Sequence, residues 1–112
     1  MKHEMRLEPI LFEEMKSGSK KVELRLNDEK RQKINLGDTI IFCKRPECVE
    51  KIEVRVAGLD KYKTIKELVE ATPLEYWGPR FHGKQQLLNH SWHYSEEKIK
   101  KYGLLAIRIE RI

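Results

Sequence analysis

Gly18-Ser19-Lys20-Lys21-Val22-Glu23-Leu24-Arg25 is the stretch on which the reading of this chain turns. From Lys21 onward it alternates: Lys21, Glu23 and Arg25 fall on one parity, Val22, Leu24 and Leu26 on the other. That period predicts a strand from about Lys20 to Leu26 with one buried face and one charged face. Gly18 stands where a helix C-terminus favours a left-handed residue. Lys20 falls at the join between loop and strand, so it can share a site with Glu23 despite its opposite parity.

Upstream, residues 3–7 form a short strand with Met5 and Leu7 on one parity. Pro9 suits the first turn of a helix, where its missing N–H costs nothing. Ile10, Leu11, Phe12 and Met15 supply that helix with an apolar stripe, and Gly18 ends it. Downstream, Asn27 to Gln32 reads as a charged loop and Leu36-Gly37-Asp38 as a tight turn. Thr39-Ile40-Ile41-Phe42 is strand-like, and Arg45-Pro46-Glu47 interrupts it. Val49 to Leu59 alternates again and makes a hairpin partner for it. Thr64 with Glu67 is a capping box for a helix to about Ala71. Short helices are expected around 73–77, 84–92 and, after Ser95, to Lys101. Leu104 to Ile109 closes the chain as a strand covered on both faces.

The resulting order of short strands and helical excursions predicts an α+β fold, a small, partly closed β-barrel with short helices around it, as one domain over 1–112. The 112 residues suffice for a core without metals or bridges. Lys and Arg number 23 against 18 Asp and Glu, for a net charge of +5 and a pI near 9.2. A basic excess of this size suits a polyanionic partner. No apolar run reaches the ~18 residues of a membrane span, and the N-terminus lacks a signal peptide's apolar core. The expectation is a soluble, cytoplasmic monomer with no membrane association. Cys43 and Cys48 have neither redox-motif nor zinc-knuckle spacing, and are read as reduced thiols, with a bridge across a hairpin end as the alternative. His82, His90 and His93 have no zinc pattern, so neither a metal nor a cofactor is expected.

The ordered set Gly18-x-Lys20-x-x-Glu23-x-Arg25, the helix before it, the Gly37-Asp38 turn after it and the closing Tyr102-Gly103-strand resembles the ASCH (activating-signal-cointegrator homology) domain over nearly the whole chain. The resemblance implies a PUA-like β-barrel with a cleft into which the signature side chains point. It also implies an association with RNA and modified nucleosides. One branch of small bacterial members hydrolyses N(4)-acetylcytidine, and another small member is described as a ribonuclease. In the hydrolase branch a Thr nucleophile stands where this chain has Glu23. That branch's further catalytic Glu has three candidates here, Glu67, Glu70 and Glu75.

The chemistry expected of the residues follows. Lys20 binds phosphate, or acts as a base if burial lowers its pKa. Glu23 orients Lys20 or Arg25, or accepts from a nucleoside amine. Arg25 offers a planar donor fork to a phosphate or base edge, or forms an ion pair with Glu23. Tyr76, Trp77, Phe81, Trp92 and Tyr94, interspersed with Arg80, His82 and Lys84, form an aromatic segment on which bases can stack or which caps the barrel. Trp77 and Trp92 are the wall residues selected, Tyr102 lines the cleft or anchors the last strand, and Arg31 lies within reach of a phosphate. Lys20 and Glu23 are thus the candidate catalytic pair, with Gly18, Arg25, Trp77, Trp92 and Tyr102 as ligand-binding residues. RNA or a nucleotide is the expected partner. The alternatives are a small nucleoside or RNA hydrolase and a protein-interaction domain.

Overall fold

The computed structural model describes every residue except Ser91 and His93. Five strands form one curled sheet: β1 (Lys2–Leu7), β2 (Val22–Leu26), β3 (Thr39–Lys44), β4 (Lys51–Tyr62) and β5 (Leu104–Arg111), in the order β1-β3-β4-β5-β2. β1 runs parallel to β3, and the other pairs are antiparallel. The sheet is a half-barrel whose two edge strands, β1 and β2, are not hydrogen-bonded neighbours. The helices are α1 (Pro9–Ser17), α2 (Ile65–Ala71), α3 (Lys84–Asn89) and α4 (Glu96–Tyr102), with single 3₁₀ turns at Arg31–Lys33 and Leu74–Trp77. No helix among the described residues is long and apolar enough to cross a membrane.

Local chemistry sets the element ends. Pro9 opens α1, and Gly18, at φ +87°, closes it by donating to the Glu14 and Met15 carbonyls. Thr64 accepts from the Glu67 N–H at 3.1 Å to start α2, and Ser95 accepts from the Lys98 N–H at 3.2 Å to start α4. The apolar stripe of α1 is narrower than its composition suggests. Phe12 and Met15 are fully buried, but Ile10 is 64% exposed, because its position turns away from the sheet.

The core has two parts, and β5 belongs to both. Leu105, Ile107 and Ile109 join Met5, Leu7, Phe12, Ile40, Phe42 and Val54 inside the curl. Leu104 and Ala106 face the other way and join Val22, Leu24, Leu26, Leu68, Val69, Trp77 and Leu87 under the helices. The pairing of β2 with β5 places Glu23 opposite Ile107 and Arg25 opposite Leu105, so both point to the inside of the curl. The apolar parity of β2 faces outward onto α2 and α3. The charged face is therefore covered as well as the apolar one: Glu23 is 6% exposed.

Cys43 and Cys48 are disulfide-bonded, not free thiols. The reason is the tightness of the turn after β3. The Cys48 N–H donates to the Lys44 carbonyl at 2.9 Å, which folds Cys48 back to a Cα–Cα distance of 4.8 Å from Cys43.

Candidate functional site

The gap between the two sheet edges opens into a cleft of about 620 Å³. The end of β1 and the start of α1 contribute Arg6, Leu7 and Leu11, and β2 with its leading turn contributes Lys20, Glu23 and Arg25. The excursion between α2 and α4 contributes Trp77, Arg80, Phe81, His90, Trp92 and Tyr94.

The floor is built by the turn after α1. The Ser19 and Lys20 N–H groups both donate to the Glu14 carbonyl, at 3.0 and 3.1 Å. That bend turns the Lys20 side chain inward, where it is 5% exposed. Lys20 is thus a buried ammonium and not a flexible point charge at a solvated turn. Its Nζ donates to the Val22 carbonyl at 2.6 Å, lies 3.5 Å from Glu23 Oε1 and sits 5.4 Å from the centre of the Trp77 ring. Burial lowers the Lys20 pKa from its usual 10.5, and the neighbouring Glu23 and Glu14 carboxylates oppose that shift.

Glu23 is shared. Its Oε1 faces Lys20 and its Oε2 accepts from Arg25 Nε at 3.0 Å and Nη2 at 2.7 Å. Arg25 Nη2 also donates to the Arg6 carbonyl at 2.9 Å, so the guanidinium spans the gap between β2 and β1. Of the two roles considered for Arg25, the ion pair is the one formed: its Nε and Nη2 are both engaged, and the side chain keeps 17% of its surface open.

The opposite wall is aromatic. Trp92 lies edge-on to Trp77 at 5.6 Å and to His90 at 4.8 Å, and His90 lies edge-on to Phe81 at 5.3 Å. Trp92 Nε1 donates to the Leu87 carbonyl at 3.3 Å, and the Tyr94 hydroxyl donates to the Leu24 carbonyl on the free edge of β2 at 3.2 Å. Burial pushes the Tyr94 phenol above its usual value. Trp77 is only 1% exposed, so it backs the wall while Trp92 and Tyr94 present surface to the cleft.

Of the residues singled out by sequence, Lys20, Glu23, Arg25, Trp77 and Trp92 come together around this cleft. Gly18 shapes the turn beneath it, and Tyr102 lies at the end of α4; neither lines it. The three other glutamates are elsewhere: Glu67 caps α2, the Glu70 carbonyl accepts from Lys84, and Glu75 is exposed on the 3₁₀ turn. Two features went unread. Arg6 and Arg45 enter the lining from elements that carried no motif. Glu14 is 8% exposed, with Oε1 accepting from Arg80 Nε at 2.9 Å. Its spacing from Leu11 and its neighbour Met15 already put Glu14 on the covered face of α1. Gly78, at φ +103°, makes room for it: a Cβ there would stand 2.7 Å from Glu14 Oε2. His93 lies outside the described residues, and among those described no three His, Cys, Asp or Glu side chains gather to hold a metal.

This half-barrel, with its charged floor and aromatic wall, defines a class. The ASCH domain family model matches residues 5–112, and the chain belongs to that family. A crystal structure described as hypothetical protein PH0355 superposes with a TM-score of 0.84 at 40% identity, covering 100% of both chains. The solution structure of protein PF0455 from Pyrococcus furiosus gives a TM-score of 0.75 at 37% identity, covering 100% of this chain and 98% of that one. No curated protein matches.

Proposed function

We propose that the protein binds RNA by taking one unpaired nucleotide into the cleft between β1 and β2. The observation that carries this reading is the buried Lys20–Glu23–Arg25 chain of contacts at the floor of a concave, aromatic-walled site. Burying a cation, an anion and part of a second cation costs several kcal/mol unless all are paired. A fold does not need that arrangement for stability. Its chemistry suits a nucleotide: Trp92 and Tyr94 offer surface to a base, Arg25 offers the Nη1 side of its guanidinium, and Arg6, Arg45 and Arg80 offer charge to phosphate. The family's association with RNA agrees with this.

The test is an anisotropy titration with labelled single-stranded RNA at two salt concentrations. Saturable binding that weakens as salt rises is expected, because phosphate contacts release counterions. Trp92→Ala and Arg25→Lys each weaken it. Absence of binding by folded protein, or indifference to both substitutions, removes the reading.

Hydrolysis of an acylated nucleoside or of RNA is a second reading, favoured by one observation. The Lys20 amine is buried with a lowered pKa beside Glu23, as a general base requires. Turnover of N(4)-acetylcytidine or of RNA, lost in Lys20→Met while affinity survives, is its signature.

A further inference from the structure

A second groove, of about 630 Å³, adjoins the cleft and shares Arg6, Arg25 and Arg45 with it. It lies on the outer side of β1 and β3, where Glu4 stands opposite Ile41, Arg6 opposite Cys43, and Cys43 opposite Lys51 of β4. The loop after β2 adds Lys30 and Arg31. Six cations therefore line it, Arg6, Arg25, Lys30, Arg31, Arg45 and Lys51, against one carboxylate, Glu4.

The fold absorbs only part of this charge: Arg25 is paired with Glu23, while Lys30 has no carboxylate partner among the described residues. Arg31 pairs with Asp28 and Arg45 approaches Glu8 at 3.5 Å, but neither Arg6 nor Lys51 has a carboxylate partner among the described residues. The carriers are held in place. The Arg45 N–H donates to the Leu7 carbonyl at 2.9 Å, and the Cys43–Cys48 disulfide ties the hairpin end that bears Arg45. The Arg31 N–H donates to Asp28 Oδ1 at 3.1 Å. A cluster of cations in excess of its carboxylates costs self-repulsion, which a polyanion relieves.

We propose that this groove carries the sugar-phosphate backbone of the nucleotides next to the one in the cleft. The ligand is then a single-stranded RNA several nucleotides long, not a free nucleoside or nucleotide. The inference rests on the nucleotide reading of the cleft. A base can enter the cleft only unstacked and unpaired. Its strand leaves past Arg25, Arg6 and Arg45, the residues common to both cavities. Spaced phosphates match a groove lined mostly by cations better than an acidic peptide does.

The experiment compares uridine monophosphate with a short labelled oligouridylate on the wild type and on the Lys30→Gln/Lys51→Gln variant. Both lysines are exposed and neither lines the cleft, so the variant keeps its fold. The oligomer is expected to bind wild type about tenfold tighter than the monophosphate. In the variant its log–log salt slope should fall by about 1.4, or about 0.7 for each lost phosphate contact. Monophosphate affinity should stay unchanged. If monophosphate and oligomer bind equally, or the variant keeps the full slope, the groove is not a backbone track while the cleft reading stands. If neither binds, the cleft reading fails and this inference with it. If polyglutamate displaces the oligomer as well as unlabelled RNA does, the groove is a general anion surface and the proposal is overturned.

Discussion

β2 and β4 carry the same alternation. Lys21, Glu23 and Arg25 interleave with Val22, Leu24 and Leu26, and Lys51, Glu53 and Arg55 interleave with Ile52, Val54 and Val56. On β4 the charged parity is exposed at every position and the apolar parity is buried. On β2, Glu23 is as buried as its apolar neighbours and Arg25 is half-buried. Alternation states which side chains share a face; it does not state what covers that face. β4 has a strand on each side and its inner face on the core, so its charges fall outward. β2 is an edge strand, and the helical excursion after β4 takes its apolar face. The charged parity is then left facing the curl, where it must be paired, and the pairing produces the site.

The contrast breaks most sharply at the two glutamates. Glu23→Ala leaves the Lys20 ammonium buried without its carboxylate and is expected to destabilise by roughly 3–5 kcal/mol. Glu53→Ala, on the exposed face of β4, should stay within about 0.5 kcal/mol. Urea unfolding of both variants decides it, and equal losses would show that β2 is an ordinary solvated strand. Next in size is Gly78→Ala. It introduces a side chain at φ +103° against Glu14 Oε2, so a loss of about 1–3 kcal/mol is expected by the same measurement. A neutral result would mean that Glu14 moves freely and does not hold Arg80.

Arg25→Lys keeps the charge but loses the planar fork that reaches Glu23 and Arg6 together. RNA affinity should fall by roughly 1–3 kcal/mol, the scale of a charge-assisted hydrogen bond. Arg55→Lys on β4, measured by the same titration, should leave it unchanged.

Smaller effects appear in the pH dependence. The folded Lys20 has its pKa lowered below the usual 10.5, so between the two values the unfolded chain binds the extra proton. Stability contributed by this residue therefore rises with pH through that window and levels off above 10.5. Lys20→Met should abolish the rise in denaturation midpoints measured across alkaline pH. Asp38 provides the acid counterpart, away from the cleft. Its carboxylate is held at about 2 rather than 3.8, first by His3 Nε2 at 2.8 Å and then by the Asn35 N–H at 2.9 Å. Its contribution is present above pH 3.8 and is lost as pH falls towards 2. Asp38→Asn should flatten that part of the acid unfolding curve.

The strands, the capped helices and the family were legible because each depended on local chemistry: parity, Thr64 and Ser95 as caps, Gly18 as a stop. The gathering of Lys20, Glu23 and Arg25 was legible from the motif. The burial of that charged face was not, since it depends on β5 pairing with β2 and on where the chain from Thr72 to Ser95 packs. Arg6 and Arg45 were hidden for the same reason. Arg6 reaches the cleft through the closeness of β1 to β2 across the gap, and Arg45 through the docking of the turn after β3 on the end of β1, contacts between residues far apart in sequence with no pattern to announce them. The disulfide depended on how far one turn folds back, which spacing alone leaves open.

The bond from Arg25 to the Arg6 carbonyl, and the 3.4 Å approach of Lys30 to the Glu4 carbonyl, occupy the free side of β1. An open sheet edge with unmet carbonyls is a template on which another chain can add a strand and begin to aggregate. Here two cationic side chains cap that template, and a backbone arriving there would have to displace both and approach their charge. The residues proposed to meet RNA would thus also keep copies of the protein from joining edge to edge. Selection for solubility would preserve Arg25 and Lys30 even if the ligand changed.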